Sequence, residues 1–461
     1  MTAMTTSKQA SSPAASGETP ASPSRSLAAL LCILPALYFT AIAAYGLINF
    51  SSYGADVPRF LRYIAAPGAI ALALVAAGVY LPARKSANLG LASSAILFTL
   101  LLVEVFLNAR LVMAMFSMVG MLSGSTADGS EAARGRDSIP PMYSTKRLSS
   151  ELGAEQLDQA VLGGLPGKEV LLCSYDGKPL YYTADRYGFN NDDAVYAQPL
   201  DVMLVGDSFV EGHCQPNPDT FGGRLRALQP QTASIGMRSG GPLLELALIG
   251  RYGAAFEPDY VVMAFFEGND WQNLAREAEM PWLKQGLNPD VDFGDPNLSE
   301  EQIRRSEAIL SEWWQDDVSA GTVFSKSSFI RNIFALNEVW GLLGLDYPRV
   351  TRDQPVYEDV LARTKQVTEG WGGRLALVYI PMDARFRGLF DKSFVYDGLR
   401  SDVLNAASRQ QIDVIDLTDV FEQSSDPTSL YAPDAHFSSE GAAVAAAAVD
   451  GWIDSLQNTE K

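Results

Sequence analysis

Histidine and cysteine are scarce in this chain. Among 461 residues there are two histidines, His213 and His436, and three cysteines, Cys32, Cys173 and Cys214. Two histidines with no cysteine pair at zinc-ligand spacing argue against a metal site, and no cofactor motif is present. Basic residues are also few: 35 Lys and Arg face 54 Asp and Glu, for a net charge of −19. Up to Ser123, seven Lys and Arg against three acidic residues give +4, which leaves −23 for the remainder. So acidic a remainder excludes nucleic acid as an expected partner, because phosphate binding relies on clustered Lys and Arg.

Scarcity narrows the chemistry. A serine hydroxyl needs a base to take its proton, and histidine has the pKa for that task. Ser208 lies in Val205-Gly206-Asp207-Ser208-Phe209, and His436 closes Asp434-Ala435-His436 near the C-terminus. His213 follows Ser208 by five residues on the same local segment, a poor position from which to fold back onto that hydroxyl, so the expected base is His436. His213 is left as a surface or pocket-rim residue, or as a substrate contact near Ser208.

Residues 1–25 are rich in Ser, Thr, Ala and Pro, the composition of an unstructured tail. Three apolar stretches follow, at about 26–50, 64–82 and 89–109, each near the ~20 residues that cross a bilayer core. They define a transmembrane region over 26–122; a cleaved signal followed by two helices is the alternative. Lys8, Arg25, Arg84 and Lys85 on one side outweigh Arg59 and Arg62 on the other, which predicts an inside N-terminus and, after three crossings, an extracytoplasmic C-terminal domain. The expected location is therefore the cell (inner) membrane, multi-pass. Glu104, the acidic group within these stretches, is expected to snorkel or pair near Arg110, although an intramembrane carboxylate also suggests function.

The stretch 123–141, rich in Gly, Ser, Asp and Arg and ending in Pro140-Pro141, reads as a solvated linker. Over 142–461 strands and helices alternate: strands at Asp201–Val205, Thr232–Ile235, Tyr260–Phe266, Arg374–Ile380 and Ile412–Leu417, helices at Thr220–Leu228, Leu243–Tyr252 and about Ser438–Leu456. This alternation predicts an α/β fold with a parallel sheet covered on both faces. Ser208, the Gly236–Gly241 turn and Asn269 each follow a strand, where open α/β sheets bind ligands.

With these blocks in order, the chain resembles the SGNH (GDSL-type) hydrolase superfamily over about Cys173 to Ala448. Gly206-Asp207-Ser208-Phe209 is similar to the first family block, Glu267-Gly268-Asn269-Asp270 to the third, and Asp434-Ala435-His436 to the last in a short Asp-x-His form. The resemblance implies a three-layer flavodoxin-like sheet. It casts Ser208 as nucleophile and oxyanion donor, Asn269 as a side-chain donor to the same oxyanion, His436 as base and Asp434 as its orienter. The second block departs from the pattern, since Gly236-Met237-Arg238-Ser239-Gly240-Gly241 offers Ser239 first and Gly240 next as the backbone donor.

An insert at about 271–357 carries Trp271, Trp282, Trp313, Trp314 and Trp340 on helices such as Ser299–Trp314, as packing residues or as a lid whose rings stack on a sugar or face the membrane. Cys173, at the end of an apolar run expected to be an edge strand, and Cys214 form an even pair in an oxidising compartment, which favours a disulfide over two buried thiols. The expected function is a membrane-anchored esterase acting on acyl esters of a cell-envelope glycan or lipid-linked substrate. An O-acyltransferase that modifies an extracytoplasmic polysaccharide and a non-catalytic glycan-binding module are the alternatives.

Overall fold

The computed structural model describes residues 23–50, 57–122, 138–139, 143–175, 178–317, 329–343, 345, 354–387 and 393–459. The N-terminal tail and most of the predicted linker lie outside them. The chain divides into two compact units, Met1–Leu100 and Leu101–Lys461.

In the first unit, helix α1 (Arg25–Ile48) runs antiparallel to α2 (Ala66–Tyr80), which a π-helical turn at Leu61–Ala65 extends toward its N-terminus. The Arg25 guanidinium donates to the Val79 carbonyl at 2.8 Å, which ties the start of one helix to the end of the other. Helix α3 (Ala83–Leu122) begins here, and the Ser86 hydroxyl donates to Ala28 O at 3.2 Å. Gly90 permits closer approach still, because a Cβ there would meet the Leu31 carbonyl carbon at 2.5 Å. Three helices, Arg25–Ile48, Leu61–Tyr80 and Ala83–Ala109, are long and apolar enough to cross a membrane.

The boundary between units falls inside α3 and not at the linker expected from composition. Glu104 supplies one reason. It is buried, and its carboxylate accepts the Glu338 N–H at 3.0 Å, the Val339 N–H at 2.9 Å and the Asn108 amide at 2.8 Å. Glu104 thus satisfies the first N–H groups of a helix in the insert, where sequence suggested snorkelling or pairing with Arg110. The end of the predicted linker is not solvated either. Ser138 and Ile139 are buried, and Ile139 bridges to Val170.

The second unit continues with α4 (Thr145–Glu151) and a two-stranded antiparallel hairpin, β1 (Glu169–Tyr175) and β2 (Lys178–Thr183). Cys173 lies within β1, and this hairpin is separate from the main sheet. That sheet contains β3 (Val202–Gly206), β4 (Thr232–Gly236), β5 (Tyr260–Phe266), β6 (Arg374–Ile380) and β7 (Asp413–Asp416) in the order β4-β3-β5-β6-β7, all parallel. The strand at Tyr260–Phe266 is one continuous apolar run because it is covered twice: Val261, Met263 and Phe265 enter one core while Val262 and Ala264 enter the other. β6 divides the same way, with Leu375, Leu377 and Tyr379 opposite Ala376, Val378 and Ile380. Each such large side chain contributes roughly 1.5–3 kcal/mol on burial.

The connecting helices include, in chain order, α5 (Ser208–Glu211), α6 (Phe221–Leu228), α7 (Pro242–Leu248), α8 (Asp270–Glu277), α9 (Glu300–Asp317), α10 (Phe329–Ala335), α11 (Asn337–Leu343), α12 (Val356–Glu369), α13 (Ser393–Arg409), α14 (Leu417–Glu422) and α15 (Ser439–Thr459). Residues of α7, α12 and α13 pack into the first core, those of α6, α14 and α15 into the second. The helix expected at Leu243–Tyr252 changes to π-helical winding at Ile249–Gly253. In the insert, Trp271, Trp282 and Trp313 are buried, which leaves no ring face for a sugar and settles these three as packing residues. Trp313 stacks under the Arg147 guanidinium at 4.1 Å and donates to Glu151, so α9 packs against α4.

Candidate functional site

The site lies at the carboxyl ends of β3, β4 and β5. β3 ends at Gly206; the Asp207 side chain then accepts the Phe209 N–H at 2.9 Å and caps the four-residue helix that Ser208 opens. Gly236, at the end of β4, lets the short helix that Ser208 opens approach, since a Cβ there would lie 2.1 Å from the Glu211 nitrogen.

The chain reverses at Gly212, whose φ of 84° is left-handed and whose Cβ, if present, would strike Thr220 at 2.2 Å. This reversal brings the His213 N–H to the Ser208 carbonyl at 2.9 Å. The contact is between backbones and does not bring the His213 ring to the Ser208 hydroxyl. That ring instead lies tilted against His436, with centroids 4.4 Å apart and planes at 41°. Burial, with His436 beside it, lowers its pKa to about 4.

His436 arrives from a closed turn. Tyr431 bridges to Phe437, the Ala432 N–H donates to His436 O at 2.8 Å, and Ala435 takes a left-handed φ of 69°. The Tyr431 hydroxyl donates to Pro381 O at 2.7 Å, which pins the turn to the end of β6. Phe209 packs against both His436 and Phe437, at 5.0 and 4.7 Å between centroids. The result places His436 Nε2 2.9 Å from Ser208 Oγ.

Asp434 accepts the His436 backbone N–H at 3.2 Å, and its Oδ1 stands 3.6 Å from His436 Nδ1, beyond hydrogen-bond distance. Its Oδ2 is 3.7 Å from His213 Nε2. Burial pushes the Asp434 carboxyl up, but the nearby His436 outweighs it and the net pKa is lowered. Both histidines and Asp434 thus present ligand atoms within 4.8 Å of one another. The chain's two histidines, far apart in sequence, are thus brought to one carboxylate.

Ser239 has a left-handed φ of 61°, and the next N–H, that of Gly240, is engaged by Met237 O at 2.9 Å. Asn269 precedes α8, with its side chain near the buried Asp207 carboxylate. Asn273, one turn further along α8, was not singled out from sequence, yet its amide donates to Gly240 O at 2.6 Å and joins the turn after β4 to the helix after β5. Spacing of four from Asn269 is the signal that would have found it. Also missed was a carboxylate cluster beneath the site. Asp270 and Glu245 are raised well above the usual range by burial and by their acidic neighbours, while Glu277 is paired with Lys146 at 2.7 Å.

Cys173 and Cys214 form a disulfide with their Cα atoms 5.4 Å apart. It joins the β1–β2 hairpin to the residue after His213. No protein-family model matches the chain, and a search of curated proteins gives no significant sequence match.

Proposed function

We propose that this protein is a membrane-anchored serine esterase of the SGNH (GDSL) type, which acts through an acyl-Ser208 intermediate. The observation that carries the reading is the 2.9 Å approach of His436 Nε2 to Ser208 Oγ across 228 residues of sequence, at the carboxyl ends of parallel strands. The strand order β4-β3-β5-β6-β7 agrees with the flavodoxin-like three-layer architecture of that superfamily.

In this reading His436 Nε2 takes the hydroxyl proton as Ser208 Oγ attacks the ester carbonyl, then returns it to the leaving alcohol; water repeats the sequence to release the acid. Asp434 holds the His436 backbone N–H and, with Oδ1 3.6 Å from Nδ1, stabilises the imidazolium. The oxyanion is held by the N–H of Ser208, the Asn269 side chain and the N–H of Ser239 in preference to that of Gly240, which already serves Met237. His213 has no part in the proton transfer.

The substrate class is an acyl ester on a cell-envelope glycan or lipid-linked carrier, presented to a catalytic domain on the extracytoplasmic side of the inner membrane. The Cys173–Cys214 disulfide supports that side, since disulfides persist in oxidising compartments. The test is labelling of the full-length protein with an alkyl fluorophosphonate, alongside turnover of short p-nitrophenyl esters. Label on Ser208 that disappears with activity in Ser208→Ala is expected; turnover that survives in Ser208→Ala overturns the reading.

A further inference from the structure

Asp434 stands between two imidazoles, one oxygen toward each: Oδ2 is 3.7 Å from His213 Nε2 and Oδ1 is 3.6 Å from His436 Nδ1. Both separations are too long for hydrogen bonds. With one ligand atom from each residue, the three lie within 4.8 Å of one another, wider than the roughly 3.3–3.5 Å between neighbouring ligands of a tetrahedral zinc ion whose bonds are about 2.0–2.2 Å, a gap that side-chain rotation closes. Two imidazole nitrogens and a carboxylate also make the donor set that borderline divalent ions take. His436 Nδ1 is buried without a hydrogen-bond partner, so its lone pair is not committed elsewhere.

The ligands are held in place before any ion arrives. The His213 backbone bonds to Ser208 and is followed directly by the Cys214 disulfide. His436 is fixed by the Ala432–His436 turn and by Phe209.

We infer that His213, Asp434 and His436 form an inhibitory site for zinc or a similar borderline divalent cation beside the proposed nucleophile. Its consequence for turnover rests on the esterase reading, but metal binding itself does not. In the active tautomer His436 carries its proton on Nδ1 and offers a lone pair from Nε2 to Ser208. An ion on Nδ1 requires the neutral ring to carry that proton on Nε2, so the nitrogen facing Ser208 becomes a donor and the base is lost. The proton count of the ring is unchanged. Magnesium and calcium, which prefer all-oxygen sites, do not fit this donor set.

Calorimetric titration of the full-length protein in detergent with zinc chloride tests the site. Wild type and Ser208→Ala should bind one zinc with equal affinity, His213→Gln should bind at least tenfold more weakly, and magnesium should give no saturable heat. Cobalt(II) should give the wild type the visible absorption of tetrahedral nitrogen and oxygen coordination, a readout that needs no variant to fold. Zinc should block p-nitrophenyl ester turnover reversibly, with recovery on EDTA. His213→Gln should keep basal turnover within about twofold and lose zinc sensitivity. Equal zinc affinity in wild type and His213→Gln, or the absence of the cobalt band, overturns the site. Activity that is lost to EDTA and restored by zinc overturns its inhibitory sense. Zinc binding that depends on His213 in a protein whose Ser208 takes no phosphonate sustains the site and removes the esterase reading.

Discussion

The rings of His213 and His436, 223 residues apart in sequence, lie tilted against each other with centroids 4.4 Å apart, and Asp434 faces both. Burial depresses the pKa of His213 to about 4, so the folded protein binds fewer protons than the unfolded chain between that value and the ordinary histidine pKa of about 6.5. Stability contributed at this residue is therefore complete above about 6.5 and declines as pH falls toward 4. The Asp434 carboxyl, lowered in the fold, loses its contribution only at more acidic pH. Buried Glu245 and Asp270, raised in the fold, have the opposite slope, so the comparison must be between variants. The denaturation midpoint of wild type, relative to His213→Gln, should drop between pH 7 and pH 5 in urea titrations; parallel pH profiles for the two proteins would show that His213 is not buried as described.

On the proposed esterase reading, removal of the base should be nearly as damaging as removal of the nucleophile. His436→Ala and Ser208→Ala should each lower kcat by about 10⁴-fold or more, and the double variant should be little worse, because the two act as a unit. Steady-state kinetics on p-nitrophenyl acetate, with circular dichroism to show an intact fold, checks this. Additive losses in the double variant would separate the two roles.

Reduction of Cys173–Cys214 releases a cross-link over a sequence separation of 41. The paired replacement Cys173→Ser with Cys214→Ser should cost roughly 2–4 kcal/mol in stability measured by denaturant titration. Peptide mapping without reductant should recover the two cysteines in one linked species.

Glu104 accepts two backbone N–H groups at the start of α11. Glu104→Ala should cost about 1 kcal/mol of local stability, as loss of a helix cap does, equivalent to about fivefold faster opening. Hydrogen exchange in detergent should show that acceleration at residues 338–343, with the sheet amides unchanged. Unchanged protection there would mean that the helix does not depend on Glu104.

The charge distribution around the apolar helices predicts that an alkaline phosphatase fused after Lys461 is active in cells. A fluorescent cytoplasmic reporter at the same place, with an inactive phosphatase, would reverse the assigned orientation.

Much of the architecture was legible because its causes are local. A strand buried on both faces must be apolar throughout, so Tyr260–Phe266 and Arg374–Ile380 could be bounded to the residue. The pairing of the strand that holds Cys173 was not legible, because an apolar run does not say which strand it pairs with. Ser208 and His436, which lie 2.9 Å apart, were singled out from block order and scarcity. Asn273 and the Glu245–Asp270 cluster were not, because their roles depend on neighbours that sequence spacing does not name.

By itself, the sequence determined that an apolar helical region precedes an α/β unit, since length and periodicity of apolar residues are properties of the chain. It also limited any histidine chemistry to two residues. Tertiary structure alone decided that both meet at Asp434, because the left-handed turn at Gly212 and the tie from Tyr431 to Pro381 set directions that no pattern of residues reports. The same holds for Glu104, whose partners are backbone N–H groups 234 and 235 residues away. Backbone groups are present at every position, and only packing selects which of them a buried carboxylate will meet.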